Sequence, residues 1–132
     1  MAFKKHKSSS AKTQVIEYYL ATDSEAITLG EALVLTSGRL TKCGATATPE
    51  FIALGSRSAG TDVQVPVARV MEDEEYETTF SEDASSNAVG TKVTLHTDGL
   101  TVTATATNGV FTITKKLGTG ASGTSVRGMF RR

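Results

Sequence analysis

Apolar and polar residues alternate in short runs along most of the chain, a pattern typical of strands with one buried face. The clearest run extends from Lys92 to Leu117. It contains Asp98-Gly99 and Asn108-Gly109, two dipeptides that favour tight hairpin turns. Two-residue turns at both positions predict a three-stranded meander.

The two turns also predict a register for this meander. Counting outward gives the pairs Leu95–Val102, Val93–Ala104, Ala106–Phe111 and Ala104–Ile113. Both hairpins then select one core-facing set, namely Val93, Leu95, Leu100, Val102, Ala104, Ala106, Phe111, Ile113 and Leu117. The solvent-facing set is Thr94, Thr101, Thr103, Thr105, Thr112 and Thr114. A slip of one residue would exchange the two faces, so the register is strongly specified.

Further strands are predicted on both sides of the meander. Ser37-Gly38 indicates a hairpin with Leu35 opposite Leu40. Val63, Val65 and Val67 alternate with smaller or polar residues, and Pro66 places that strand at an edge or a bulge. The remaining predicted strands are residues 15–20, 51–54 and 125–130.

Composition supports one small all-β domain. The chain has 132 residues, two prolines, no tryptophan and a single cysteine, Cys43, which excludes an internal disulfide. No apolar run of membrane-spanning length occurs. We therefore expect a small β-barrel or sandwich of about seven or eight short strands over residues 15–132, preceded by a flexible arm.

The arm, residues 1–14, is basic and rich in serine. It lacks the apolar segment of a signal peptide, so no export signal is expected. Phe3 is its predicted apolar anchor, and Lys4, Lys5 and Lys7 would steer it towards an acidic or strand-edge surface. Nucleic acid is not an expected partner, because no basic, aromatic-interleaved patch continues into the domain. Deletion of the arm is expected to leave the domain folded.

Charges of the opposite sign are concentrated between residues 72 and 83. Their spacing does not fit a calcium loop, so a solvated loop is the simplest interpretation and a charged contact between subunits is the alternative. The candidate subunit contacts are Glu72, Asp73, Glu74, Glu75, Arg127, Arg131 and Arg132.

Residues that could support catalysis are few. His96 is predicted on the threonine face, opposite Thr101, and Cys43 reads as a half-buried apolar residue. Glu31 and Glu50 are expected at turns or strand ends. The glycines at 118, 120 and 123 imitate a dinucleotide motif but leave no room for its helix and second strand. We expect no enzymatic activity, no cofactor and no metal.

Four consecutive segments between Ile27 and Val70 resemble a known family. They are Leu29-Gly-Glu-Ala-Leu-Val-Leu35, Ser37-Gly-Arg-Leu-Thr-Lys42, Phe51-Ile-Ala-Leu54 and Ala59-Gly-Thr-Asp-Val-Gln-Val-Pro-Val-Ala-Arg-Val70. In this order they resemble the small capsid decoration, or cement, proteins of tailed bacteriophages, including lambda-like head decoration proteins. The long acidic run and the meander depart from that family.

The resemblance implies a non-enzymatic structural protein that binds the outer surface of the expanded phage capsid. It would be made in the host cytoplasm, act as a homotrimer and stabilise contacts between major capsid proteins. An arm that adds a strand to an exposed edge of the shell fits this function. The candidate shell contacts, chosen by position, are Phe3, Lys4, Lys5, Lys7, Val15 and Ile16. The alternative is a phage tail-tube, fibre or adhesin-like β domain.

Overall fold

The computed structural model describes residues 2–8 and 15–130, and within them the fold is all-β. No helix in this part of the chain could cross a membrane. The strands are β1 (Lys4–Ser8), β2 (Ile16–Leu20), β3 (Ala32–Thr36), β4 (Arg39–Lys42), β5 (Phe51–Ala53), β6 (Gln64–Arg69), β7 (Glu74–Thr79), β8 (Lys92–Val93), β9 (Phe111–Lys116) and β10 (Ser125–Met129).

The ten strands form two antiparallel sheets of five, so the predicted all-β class is confirmed as a sandwich with more strands than expected. Sheet A has the order β1-β7-β10-β9-β8. Sheet B has the order β2-β6-β5-β3-β4. Sheet B is curved, because a bridge between Ala21 and Leu40 joins its two edges at one end.

Two apolar cores result from this arrangement. One core fills the space between the sheets, around Val93, Leu95, Phe111 and Phe130. The other core contains alternate residues of sheet B, among them Leu33, Leu40, Phe51, Val65 and Val67. Sheet B therefore buries apolar residues on both faces, which accounts for its unusually continuous apolar strands at 32–35 and 51–54.

The hairpin β3–β4 has the predicted register, with Leu35 opposite Leu40. Its turn residues, Ser37 and Gly38, have φ values of 51° and 79°. Positive φ at both central positions is the geometry of the hairpin turn that matches strand twist.

The meander prediction is correct only beside its first turn, because the second pair predicted for that hairpin and both pairs predicted for the other hairpin do not form. Leu95 is bridged to Val102 as predicted, but Val93 pairs with Phe111 instead of Ala104. Gly109 packs directly against the backbone of Lys92, an approach that only glycine permits. Strand β8 thus pairs with β9, whereas the sequence predicted that residues 100–106 would pair with it.

This change in pairing moves several residues to the face opposite the predicted one. Ala106 and Leu117 were expected in the core but are exposed. Thr94 and Thr103 were expected in solvent but are buried, and their hydroxyl oxygens lie 2.7 Å apart. A mutual hydrogen bond allows this threonine pair to be buried.

Pro66 lies in an internal strand, so its expected position at an edge or bulge is wrong. β6 pairs with β2 on one side and with β5 on the other, and Pro66 is directly opposite Tyr18. The Leu54 N–H donates to the Pro66 carbonyl at 2.8 Å. Because the N and C=O of a strand residue point to the same side, the missing N–H faces Leu54, just past the end of β5.

The centre of the acidic segment is a strand, whereas Glu72, Glu82 and Asp83 at its ends are exposed outside that strand. Residues 74–79 form β7, which lies between β1 and β10 inside sheet A. Tyr76, Thr78 and Phe80 alternate towards the core and are at most 2% exposed. The glutamates of this strand are accommodated by basic partners on both neighbouring strands.

Candidate functional site

The amino-terminal residues belong to the fold, in contrast to the flexible arm expected for residues 1–14. Residues 4–8 form β1 at the edge of sheet A, and residues 9–14 lie outside the described part of the chain. Phe3 is 2% exposed, with ring centroids 5.8 Å from Phe111 and 5.3 Å from Phe130. The ring of Phe3, which the sequence placed in contact with a shell, is therefore occupied inside the core of its own chain.

The basic strand β1 is held to the acidic strand β7 by two lysine–glutamate ion pairs and one histidine–glutamate contact. Lys5 Nζ lies 2.7 Å from Glu74 Oε2, and Lys4 Nζ lies 3.6 Å from Glu77 Oε2. His6 Nε2 lies 3.6 Å from Glu75 Oε1. The two oppositely charged segments of the sequence thus meet within one chain.

Strand β10 provides a further cation from the opposite side of β7. The Arg127 Nε donates to Glu77 Oε1 at 3.0 Å. This hydrogen bond, reinforced by Lys4, holds the pKa of the Glu77 carboxyl below its usual value. Glu77 was not among the predicted site residues, since only the pairing of three strands brings its two cations together.

The predicted subunit contacts are consequently divided. Glu74 and Glu75 are buried, and Arg127 is bound within the chain. A neighbouring subunit could reach little of these side chains. Glu72 is exposed and Asp73 is half-buried, whereas Arg131 and Arg132 lie outside the described residues.

Four of the predicted shell contacts present accessible surface. Lys4 and Lys7 are exposed on β1. Val15 and Ile16, at the start of β2, are 69% and 53% exposed. Lys5 is only half-buried, although its ammonium group is paired with Glu74. Of these residues, Lys4 and Lys5 also border the gap between the two sheets.

A cavity of about 340 Å³ lies in this gap. Phe3, Lys5 and Tyr76 form its wall on sheet A, whereas Ile52 and Ala68 belong to sheet B. The Tyr76 hydroxyl donates to Glu74 Oε1 at 2.8 Å, and burial raises the pKa of this phenol far above its usual value. The polar groups at the cavity are therefore fixed in place by one another, and most of the lining is apolar.

The residues considered for catalysis have structural partners. The Cys43 thiol donates to the Ala47 carbonyl at 3.0 Å, and burial raises its pKa to about 12. The backbone N–H of Leu35 donates to Glu50 Oε1 at 3.3 Å. His96 Nδ1 accepts a hydrogen bond from the Asp98 N–H at 3.2 Å, which holds the imidazole against its own turn.

Glu31 is the most deeply buried carboxyl in the described residues. Its Oε1 accepts from the Thr28 N–H at 3.2 Å, while Oε2 has no hydrogen-bond partner within the part of the chain that the structure describes. Burial raises the pKa of this group. The described residues include no group of three or more histidine, cysteine, aspartate or glutamate side chains that could hold a metal ion.

The fold itself has a known counterpart. A solved structure, the N base of the head fiber gp8.5 of bacteriophage phi29, is similar with a TM-score of 0.61. The similarity covers 89% of this chain and 95% of the phi29 chain, at 15% sequence identity. No family model and no curated protein matches the sequence.

At this level of identity the likeness is one of fold. It extends over nearly the whole of both chains, so it includes both sheets and not merely the segment from Ile27 to Val70. That segment supplies β3, β4, β5 and β6, four of the five strands of sheet B.

Proposed function

We propose that this protein is a structural protein of a bacteriophage head that binds the outer surface of the expanded capsid. The observation that carries the proposal is the fold shared with the phi29 head fiber base over nearly the full chain. Its partner would be the major capsid protein, and its role would be to stabilise contacts between neighbouring capsid proteins. The proposal includes no enzymatic activity, no cofactor and no binding of nucleic acid or membranes.

The surface described above is suited to such a role. The accessible lysines of β1 provide charge, and the exposed apolar residues of β2 provide apolar area. Symmetry-related sites on a shell would let many modest contacts act together, particularly if three copies bind as a trimer. A small domain without a large binding face could then remain attached.

The test is cosedimentation with capsids of the phage that encodes the chain, prepared without it. Saturable pelleting with expanded capsids, in a simple ratio to the capsid protein, is the expected result. Unexpanded capsids from the same preparation are the control and should bind much less. Light scattering of the unbound protein would show whether it is already a trimer. Failure to pellet with expanded capsids would contradict the proposal.

A second candidate is the base of a longer head fiber, because the similar phi29 structure is the N base of a head fiber. Both candidates require attachment to the head, so cosedimentation does not separate them. Electron microscopy of the decorated capsids does, because a fiber base carries a projection and a cement protein lies flat on the shell. A tail-tube protein would instead form rings or tubes without capsids.

A further inference from the structure

Sheet A covers only part of the sheet B face that it packs against. One row of directly paired residues crosses this face from Ala32 to Ile52, then Ala68, then Ile16. Paired residues of antiparallel strands lie on the same face. Their exposed fractions are 0%, 4%, 8% and 53%. The abrupt rise at Ile16 shows that the cover provided by sheet A ends between β6 and β2.

The last strand of sheet A at this boundary is β1. It pairs with β7 and forms the edge of the sheet. The cavity lies between β1 and strands β5 and β6, and Leu29, which lines it, is 55% exposed. The cavity therefore reaches the surface at Leu29. Tyr18, on the same face of β2 as Ile16, is 58% exposed.

We propose that this gap accepts an extended segment of a partner protein, which adds to sheet A as a sixth strand beside β1. Backbone hydrogen bonds to the edge of β1 would provide affinity, as in other cases of strand addition. A strand added about 4.8 Å beyond β1 would lie over the uncovered part of β2. Its inward side chains would cover Ile16 and Tyr18, and one of them would enter the cavity.

Charge specifies which segment fits. Strand β1 reads Lys-Lys-His-Lys-Ser and contains no acidic residue. The Lys4 side chain is 64% exposed, so outward-facing side chains of an added strand would lie beside a cation. The matching segment alternates apolar residues inward with acidic residues outward. A second copy of this chain adding its own β1 would instead place lysine beside lysine, which is unfavourable.

The shape of β1 further restricts the partner. Its pairing with β7 has an irregularity between Lys5 and Lys7. Bulges and edge lysines are features that keep sheet edges from pairing indiscriminately. We therefore expect the edge to reject neutral or basic strands and to accept acidic ones. If the proposed function is correct, the capsid protein supplies this acidic, apolar segment, and that assignment alone rests on the proposed function.

The probe for the groove is a short fluorescent peptide in which glutamate and valine alternate. Fluorescence anisotropy with the full chain should show saturable binding at low salt. A peptide with lysine in place of glutamate should bind at least tenfold more weakly. Tyr18→Glu, an exposed substitution on the groove, should weaken binding of the acidic peptide at least tenfold. Val89→Glu is the matched control, because Val89 is 59% exposed in a loop outside the cavity lining.

Several results would contradict the proposal that this groove binds an acidic segment. They are no binding of the acidic peptide, equal binding of both peptides, or binding that Tyr18→Glu leaves unchanged. Self-association that Tyr18→Glu abolishes would identify a second copy as the occupant, also against the proposal. Peptide binding without capsid pelleting would support the binding groove but contradict the assignment of the capsid protein as its partner. If Tyr18→Glu does not weaken pelleting with capsids, the proposed function stands, but the groove is not the site that binds the capsid.

Discussion

Phe3 gives the amino terminus a structural role at the scale of a single residue. Its ring packs in an aromatic cluster with Phe111 and Phe130, which are themselves in contact at 5.2 Å between centroids. A phenylalanine in a basic, serine-rich segment has no neighbouring apolar pattern to mark it as core. The sequence indicated that Phe3 is an apolar anchor. It did not indicate that the ring binds in the core of its own domain.

Truncation of this ring should therefore destabilise the protein. We expect Phe3→Ala to lower the free energy of unfolding by about 3 kcal/mol, the cost of removing a buried aromatic ring. Urea denaturation followed by circular dichroism measures this change. Val89→Ala, at an exposed position, is the control and should change it by less than about 0.5 kcal/mol. A Phe3→Ala protein as stable as the control would show that Phe3 is not buried in solution.

Cys43 provides a second test at this scale. Burial raises the pKa of its thiol to about 12, so very little thiolate exists near neutral pH. We expect almost no reaction with a thiol reagent such as DTNB at pH 8 in the native protein. In urea the thiol should react fully, at the rate of an ordinary cysteine. Rapid reaction of the folded protein would place the thiol at the surface.

At the scale of elements, local signals predicted well and long-range pairing did not. The β3–β4 hairpin could be read from its turn and flanking alternation, since both lie within a few residues. The second turn of the meander exists, yet its arms do not pair, because β9 lies between β8 and β10. No sequence pattern near Asn108 indicates which strands pair with β9.

Strand β7 shows the same limitation in terms of charge. Its glutamates read as a solvated loop because their compensating cations come from residues 4–6 and from residue 127. Only Tyr76, Thr78 and Phe80, with the alternation of a half-buried strand, could have indicated β7. The cavity could not be predicted either, since it depends on the offset between two sheets.

Removal of β1 should now destabilise the domain, contrary to the expectation from sequence. A chain that lacks residues 1–8 loses Phe3, two lysine–glutamate ion pairs and the His6–Glu75 contact, and it exposes the edge of β7. We expect a lower unfolding midpoint and a greater tendency to aggregate. A chain in which Lys4 and Lys7 are replaced by glutamine retains Phe3 and serves as the control. Equal midpoints for the truncated and full-length chains would contradict the structure.

The ion pairs between β1, β7 and β10 predict a dependence on pH. The pKa of Glu77 is lower in the folded state than its usual value near 4.5. Its contribution to stability is therefore complete above that value and is lost as the pH falls through the folded-state pKa. Glu77→Gln should reduce the loss of stability below about pH 4.5, measured by thermal unfolding across pH. The same slope in wild type and variant would show that the pair with Arg127 is not formed in solution.

At the scale of the whole molecule, the two sheets have different parts in the proposed function. Sheet B is curved, has apolar residues buried on both faces, and takes four of its five strands from residues 27–70. Sheet A contributes the basic edge strand, and the offset between the sheets leaves apolar surface beside it. A sandwich with one uncovered sheet edge is well suited to engage an extended segment of a larger assembly.

The most direct test of the central claim is cryo-electron microscopy of expanded capsids saturated with the protein. The account predicts additional density on the outer surface, of a size that fits copies of a 13.9 kDa domain, with the edge of β1 towards the shell. Three copies around each local three-fold axis would support the trimer. Capsids without additional outer density at saturating protein, or density confined to the tail, would contradict the account.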